Sequence, residues 1–398
     1  MDIVTVASGY DCMLVGAFSF PHGDAAANRL LSLAKTLRAA GRRPLVVNDG
    51  PSPDEATTPG RLTSCGGVDY ICLPQADGGR LVRATRRSTR PLRIAAAARG
   101  AGVRRGRLRW VCVPSGLYTI AMHTALRRLL GGRMLVDVVE RHDVSQFARG
   151  WRDPYLLRHR YTSWLAARLP DKVLVISDEL QDRFGRGVDT LVLPPAVDVD
   201  EYVPHRPRES RGPMRLLYAG SPGRKDLLAE ILRGLDRLPA GEQRGAALTV
   251  AGVTPAQLAA DAGAELLSRL GDSVRVVGVV SRAEVHRHLA QADFALLVRP
   301  TAGYAKAGFP SKVPESLAAG CPLILNYSSD LRRYLDDGKQ VLVCRGSTAD
   351  DIAEALHRAL ALSDVEWNAM SSAARETARN RFDYRVWAGP LAEFLGDA

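Results

Sequence analysis

Short apolar runs recur along the chain, and most are followed by a segment whose apolar residues return every three or four positions. Residues 12–16, 45–47, 68–73, 110–113, 134–139, 172–176 and 190–193 read as buried strands. Over 25–40 the spacing of Leu30, Leu31, Ala34 and Leu37 predicts a helix, and further helices are expected over 115–130, 153–167 and 178–184. The pattern lapses over 202–213, which is rich in Pro, Arg and Glu and reads as a linker. It then restarts, with strands at 214–220, 248–252, 274–278, 294–298, 323–325 and 341–343. Helices fall at 227–238 and 349–362, and a capping box is expected at Ser281 and Glu284. The tail, 367–395, reads as helical with a break at Gly389-Pro390. Strand–helix alternation on both sides of a linker predicts two α/β domains, each a parallel sheet covered by helices.

The most informative stretch is 308–322, Gly-Phe-Pro-Ser-Lys-Val-Pro-Glu-Ser-Leu-Ala-Ala-Gly-Cys-Pro. A strand precedes it and a strand follows. Pro314 suits a first helical turn, Gly320 a helix end, and Pro322 stops continuation. Ligands of parallel sheets bind beyond the carboxyl ends of the strands. There the loop carries Arg299, Lys306, Ser311, Lys312 and Glu315, a set suited to a nucleotide diphosphate. A second loop, Ser221-Pro222-Gly223-Arg224-Lys225-Asp226, follows Gly220 at the end of the strand at 214–220 and fits a diphosphate in the same way. Each also has a purely structural reading, as a capped helix or a solvated loop. In the first half, the helix start at Gly23 and Asp24 can face a phosphate or an acceptor, or be a plain turn. Glu140, His142 and Asp143 lie past the strand at 134–139, where His beside a carboxylate is either a structural hydrogen bond or a functional pair. Asp198 and Asp200 could hold a divalent ion, but their place after Pro194-Pro195 favours a structural role, and no metal site is assigned.

Charge changes this picture. The formal net charge is +11. From 78 to 136 there is no Asp or Glu and there are fourteen Arg residues, Arg80 to Arg133, so an anionic partner is expected. An anionic membrane surface or a phosphorylated acceptor fits better than nucleic acid, because aromatics are scarce there and no nucleic-acid motif is present. The six cysteines lack metal-ligand spacing and read as reduced buried thiols. With no leader-like start and no span-length apolar run, a cytoplasmic protein is expected, peripheral at most at the inner membrane face.

The residues from Phe309 to Glu315 and the run to Pro322 resemble the donor-binding segment of retaining glycosyltransferases of family four (glycosyl transferases group 1). The resemblance covers nearly the whole chain and is most specific over 274–350. It implies the GT-B fold: two facing Rossmann-like doubly wound domains with the active site in the interdomain cleft. The expected bounds are 1–203 for the acceptor-side domain, 204–375 for the nucleotide-sugar domain, and 376–398 for a helix crossing back. It implies that Glu315 holds the ribose and that Arg224 and Lys225 neutralise the leaving diphosphate. It also implies that His142 contacts the donor sugar and that the Gly23 loop lines the cleft. The family's first glutamate is replaced here by Ala307. The implied activity is transfer of a sugar from a nucleotide sugar to a hydroxyl of a sugar, lipid-linked or small-molecule acceptor, with no cofactor and no metal. A nucleotide-sugar epimerase and a non-catalytic nucleotide-sugar-binding protein are the alternatives.

Overall fold

A computed structural model describes residues 9–52, 57–75, 79–147, 149–205, 212–221, 225–300 and 303–396. The chain divides into two compact units, Met1–Ala196 with Tyr384–Ala398, and Val197–Asp383.

The first unit holds strands β1 (Cys12–Gly16), β2 (Pro44–Asn48), β3 (Thr63–Cys65), β4 (Val68–Cys72), β5 (Trp110–Pro114), β6 (Arg133–Val138), β7 (Lys172–Val175) and β8 (Thr190–Val192). Their order is β3-β4-β2-β1-β5-β6-β7-β8. All neighbours are parallel except β3 and β4. Both faces of the central strands are covered, which is why they read as unbroken apolar runs rather than alternating ones. Met13, Leu14, Val46 and Val111, for example, are fully buried. The antiparallel edge strand β3, with the polar sequence Thr-Ser-Cys, was not expected, because it has no apolar run to announce it.

Helices α1 (Ala25–Ala39), α2 (Arg80–Gly100), α3 (Leu117–Leu130), α4 (Pro154–Ala166) and α5 (Asp178–Phe184) connect these strands. Asp24 caps α1, accepting hydrogen bonds from the backbone N–H groups of Ala27 at 2.7 Å and Ser19 at 2.8 Å. The arginine-rich segment forms the long helix α2, with Pro91 inside it. Three of its arginines turn inward. Arg86, Arg90 and Arg93 reach the Asp49 carboxylate, just past β2, at 3.1, 2.6 and 3.2 Å. The carboxylate missing from the local sequence is supplied by a neighbouring strand end.

The second unit is a six-stranded parallel sheet. Its strands are β9 (Met214–Ala219), β10 (Ala246–Ala251), β11 (Val274–Gly278), β12 (Phe294–Leu297), β13 (Leu323–Leu325) and β14 (Val341–Val343). The order is β11-β10-β9-β12-β13-β14. The expected capping box at Ser281 and Glu284 is present, and Thr254–Gln257, Thr348–Asp351 and Ser363–Glu366 repeat it. Trp367 is fully buried and donates its indole N–H to the Asp293 carbonyl at 2.8 Å. The Asp293 carboxylate in turn holds the Arg215 guanidinium at 2.8 Å.

The tail differs from expectation. Helix Asp364–Thr377 passes through a π turn, Ala378–Phe382, and a 3-10 turn, Tyr384–Trp387. Gly389 and Pro390 do not break the chain. They lie in the first turn of the last helix, Ala388–Leu395, where a missing proline N–H costs nothing. The break falls earlier, where the chain leaves the second unit. At that point Val197 and Asp383 form an isolated parallel bridge, with Val197 N–H donating to the Phe382 carbonyl at 2.8 Å and Val199 N–H to the Asp383 carboxylate at 3.2 Å.

Arg29 on α1 forms a bidentate pair with Asp137 on β6, at 3.2 and 2.9 Å, and donates to the Leu193 and Pro194 carbonyls at 2.8 Å each. Both side chains are nearly buried. We predict that Arg29→Ala costs about 3–5 kcal/mol of stability, because it strands a buried carboxylate. Urea denaturation measures this; a loss below about 1 kcal/mol, the scale of a surface pair, would contradict it.

Candidate functional site

In the second unit, β9, β10 and β11 run to one side of the sheet and β12, β13 and β14 to the other, so the order reverses between β9 and β12. A crevice opens at such a reversal, beyond the carboxyl ends of the two strands. The loops leaving β9 and β12 meet there. Tyr218 near the end of β9, Asp226 after it, Arg299 after β12, and Lys312 at the start of helix Lys312–Ala318 form one cluster around the Asp226 carboxylate. Tyr218 donates its hydroxyl to Asp226 at 3.0 Å. Lys312 pairs with the same carboxylate, donates to the Tyr218 oxygen at 3.3 Å, and lies over the Tyr218 ring at 4.5 Å. Arg299 Nε is 3.5 Å from the other Asp226 oxygen and donates to the Lys225 carbonyl at 3.3 Å. Burial and the neighbouring Asp226 push the Tyr218 phenol well above its usual range, so it stays protonated as a donor.

The backbone is shaped to fit. Gly220 has φ +147°, a conformation that L side chains rarely adopt, and a Cβ there would lie 2.4 Å from Lys312 Cε and Nζ, so a larger residue would be strained and would displace the end of the lysine. Gly252, after β10, has φ +99°, and its Cβ would meet the Gly220 carbonyl oxygen at 2.6 Å. Asn326, after β13, locks Arg299 in place through two hydrogen bonds. Arg299 N–H donates to its side-chain oxygen at 2.9 Å, and its amide donates to the Arg299 carbonyl at 2.8 Å.

Glu315 lies one turn beyond Lys312. Burial raises its carboxyl above the usual range, while Arg282 and Lys312 oppose the shift. Its neighbour Tyr202 stacks on His286 at 4.2 Å. Of the expected donor residues, Gly220, Arg299, Lys312 and Glu315 thus come together, with Lys225 joined to them through its carbonyl. Lys306, on helix Gly303–Ala307, and Ser221 are exposed, and Ser311 stands just ahead of Lys312 without a side-chain cap bond. Gly223 and Arg224 lie outside the described residues. Ala307 is fully buried. Sequence reasoning missed Tyr218, Asp226 and Asn326. Asp226 had a signal, standing next to Lys225 in the loop already singled out; Tyr218 and Asn326 look like ordinary strand-end residues.

The first unit has its own reversal, between β1 and β5. A cavity of about 300 Å³ opens there, walled by Gly16 and Phe18 after β1, Ser115 and Gly116 after β5, and Tyr155 and His159 of α4. His142 stands behind this wall. Its ring meets those of His159 at 4.7 Å and Tyr155 at 5.2 Å, and Glu140 is 3.8 Å from its Nε2. Asp143 takes a turn-like role, its N–H donating to the Gln146 side chain at 2.8 Å. Asp24 is engaged as the α1 cap, and Gly23 N–H donates to the Ser19 carbonyl at 2.6 Å. Asp198 accepts from Asp200 N–H at 3.3 Å. Among the described residues no group of three or more His, Cys, Asp or Glu is placed to hold a metal ion.

Burial, then the nearby His142 and Arg183, lowers the His159 pKa to about 4, and burial lowers that of His123 likewise to about 4. Unfolded imidazoles take up protons near pH 6.5, whereas these two stay neutral until about pH 4, so the unfolded state binds more protons in that window. We predict that stability falls as pH drops from about 6.5 to 4, and that His159→Gln makes the slope shallower. Urea midpoints across pH test this; an unchanged slope would show that His159 is protonated in the folded protein.

Residues 224–393 match a family model described as glycosyl transferase-like. Among curated proteins nothing matches. Among solved structures, sucrose-phosphate synthase from Thermosynechococcus elongatus aligns with TM-score 0.70 and 16% identity, over 96% of this chain and 97% of that one. An α,α-trehalose-phosphate synthase (UDP-forming) from Burkholderia xenovorans, in complex with glucose-6-phosphate, gives 0.68 and 15%, over 97% and 100%. Anabaena HepE in complex with UDP and glucose gives 0.66 and 14%, over 98% and 100%. At these identities the likeness is one of fold, and that fold is the GT-B pair of Rossmann-like domains. Over residues 224–393 the chain is similar to a glycosyl transferase-like family model, and its fold is that of the GT-B structures named above.

Proposed function

We propose that the second unit binds the nucleotide of a nucleotide-sugar donor, and that the protein transfers the sugar to an acceptor hydroxyl with retention of anomeric configuration, as the retaining enzymes of family four do. The observation that carries this reading is the pairing of Lys312 and Arg299 around one carboxylate at the β9–β12 reversal. Both cations are held beside Asp226, beyond the carboxyl ends of the two strands, where a diphosphate would meet them. Uridine diphosphate is the first candidate, because Anabaena HepE is described in complex with it.

In this mechanism the bond from the anomeric carbon to the β-phosphate oxygen breaks, and the acceptor oxygen bonds to that carbon on the same face. The leaving phosphate takes the acceptor proton. Lys312, Arg299, Lys225 and Arg224 stabilise its developing charge, as preorganised cations do at other leaving anions. Glu315 accepts hydrogen bonds from the ribose hydroxyls, and His142 contacts the transferred sugar. The acceptor is a sugar, lipid-linked or small-molecule hydroxyl compound.

We expect Glu315→Ala to weaken uridine diphosphate binding by about 1.5–3 kcal/mol, the scale of hydrogen bonds to a charged group. Calorimetry checks this, and unchanged affinity in a folded variant would remove Glu315 from the ribose role. Turnover is expected to persist in EDTA, with Lys312→Ala lowering kcat more than it changes acceptor KM. Loss of activity in EDTA, restored by a divalent ion, would overturn the metal-free mechanism. Donor consumed without acceptor would identify an epimerase, and donor left intact with acceptor present a binding protein.

A further inference from the structure

Helix α4 has two unlike faces. Leu156, Thr162 and Ala166 are buried, and the helix packs against α3. On the other side Leu157, Tyr161 and Trp164 follow one another at spacings of four and three, a single stripe along the helix, with Arg168 just past its end. Leu157 is 53% exposed, Tyr161 53% and Trp164 50%, and Trp151, just before the helix, is 63% exposed. Six of the twelve large apolar side chains exposed among the described residues fall between Trp151 and Leu169, so such exposure is concentrated in this segment.

The patch is cationic as well as aromatic. Between 149 and 169 there are Arg149, Arg152, Arg158, Arg160 and Arg168, against one acid, Asp153, which is occupied as the α4 cap. The guanidinium of Arg160 lies over the Trp151 ring at 4.9 Å, and that of Arg168 over Trp164 at 4.6 Å. Tyr161 and Trp164 stack at 5.9 Å with their planes 13° apart. Beside them, between α4 and α5, a cavity of about 570 Å³ is lined by Tyr161, Trp164 and Phe184 together with Arg160, Arg168 and Arg183. Burial and then the like charges of Arg141 and Arg160 lower the Arg183 pKa, and an anion in the cavity would relieve that repulsion.

We propose that this face of α4 docks on an anionic phospholipid bilayer, with Trp151, Tyr161 and Trp164 at headgroup level and Arg160, Arg168 and Arg183 on lipid phosphates. Amphipathic rings interleaved with arginines are the composition of the membrane interface. A second copy of the chain fits poorly, because a two-fold contact would set the same five arginines against each other. The surface differs from the arginine-rich helix α2, where Arg86, Arg90 and Arg93 are taken up by Asp49. Docking does not depend on the proposed transfer reaction. A bilayer-borne acceptor does rest on that reading: Tyr155 and His159 of the same helix wall the first-unit cavity.

The test is flotation with vesicles of phosphatidylcholine alone and of phosphatidylcholine mixed with phosphatidylglycerol, at low and high salt. Wild type is expected to float with the mixed vesicles at low salt only. The pair Trp151→Ala with Trp164→Ala, and the pair Arg160→Gln with Arg168→Gln, are each expected to lower partitioning about tenfold or more. The triple Arg104→Gln, Arg105→Gln and Arg107→Gln, on exposed arginines elsewhere, should leave it within about twofold. All these side chains are exposed, and an unchanged thermal melt checks the fold. Quenching of tryptophan fluorescence by brominated lipid should appear in wild type and vanish in the tryptophan pair. No flotation with anionic vesicles overturns the proposal, and so does equal loss in the triple variant. A lipid-independent dimer broken by the α4 variants would also overturn it and assign the face to a second copy.

Discussion

The Asp226 carboxylate anchors the second unit's site. It accepts from Tyr218, pairs with Lys312 and lies beside Arg299, so a strand end, a helix start and a loop converge on two oxygen atoms. Without that anion two cations and a phenol would crowd one buried corner. With it, each long side chain is held in one geometry before any ligand arrives, which lowers the ordering cost of binding. The demands spread outward from there. Lys312 reaches Asp226 past Gly220, whose φ of +147° favours glycine and whose missing Cβ leaves the lysine end undisturbed, and Gly252 leaves room for the Gly220 carbonyl.

The parallel sheets were legible in the sequence because both of their faces are buried. Strands such as Phe294–Leu297 and Leu323–Leu325 have no polar positions and stand out as runs. Edge strand Thr63–Cys65 has no such run and was invisible. Pro390 was misread as a break because a proline in a first turn and one in a helix interior look alike until the helix start is known.

The site was half legible. Lys312, Arg299 and Gly220 could be found, since charged residues and glycines past apolar strands are rare enough to mark a strand end. Their organiser, Asp226, could not be separated from any solvated aspartate, because its role comes from residues 73 and 86 positions away. The same holds for the arginine-rich segment. Its local sequence has no acid, and Asp49 neutralises part of it from another strand. The α4 patch was hidden for another reason: the sequence shows a helix over 153–167 but not which of its faces a neighbour covers.

The bridge between Val197 and Asp383 gives the chain an unusual topology. The first unit is interrupted after Ala196 and resumes at Tyr384, and the two crossing points are hydrogen-bonded to each other. In chain order the second unit is therefore an insertion into the first, and its own two ends meet. The segment 197–383 could be excised, or its ends joined and reopened elsewhere, with little extra loop entropy to overcome.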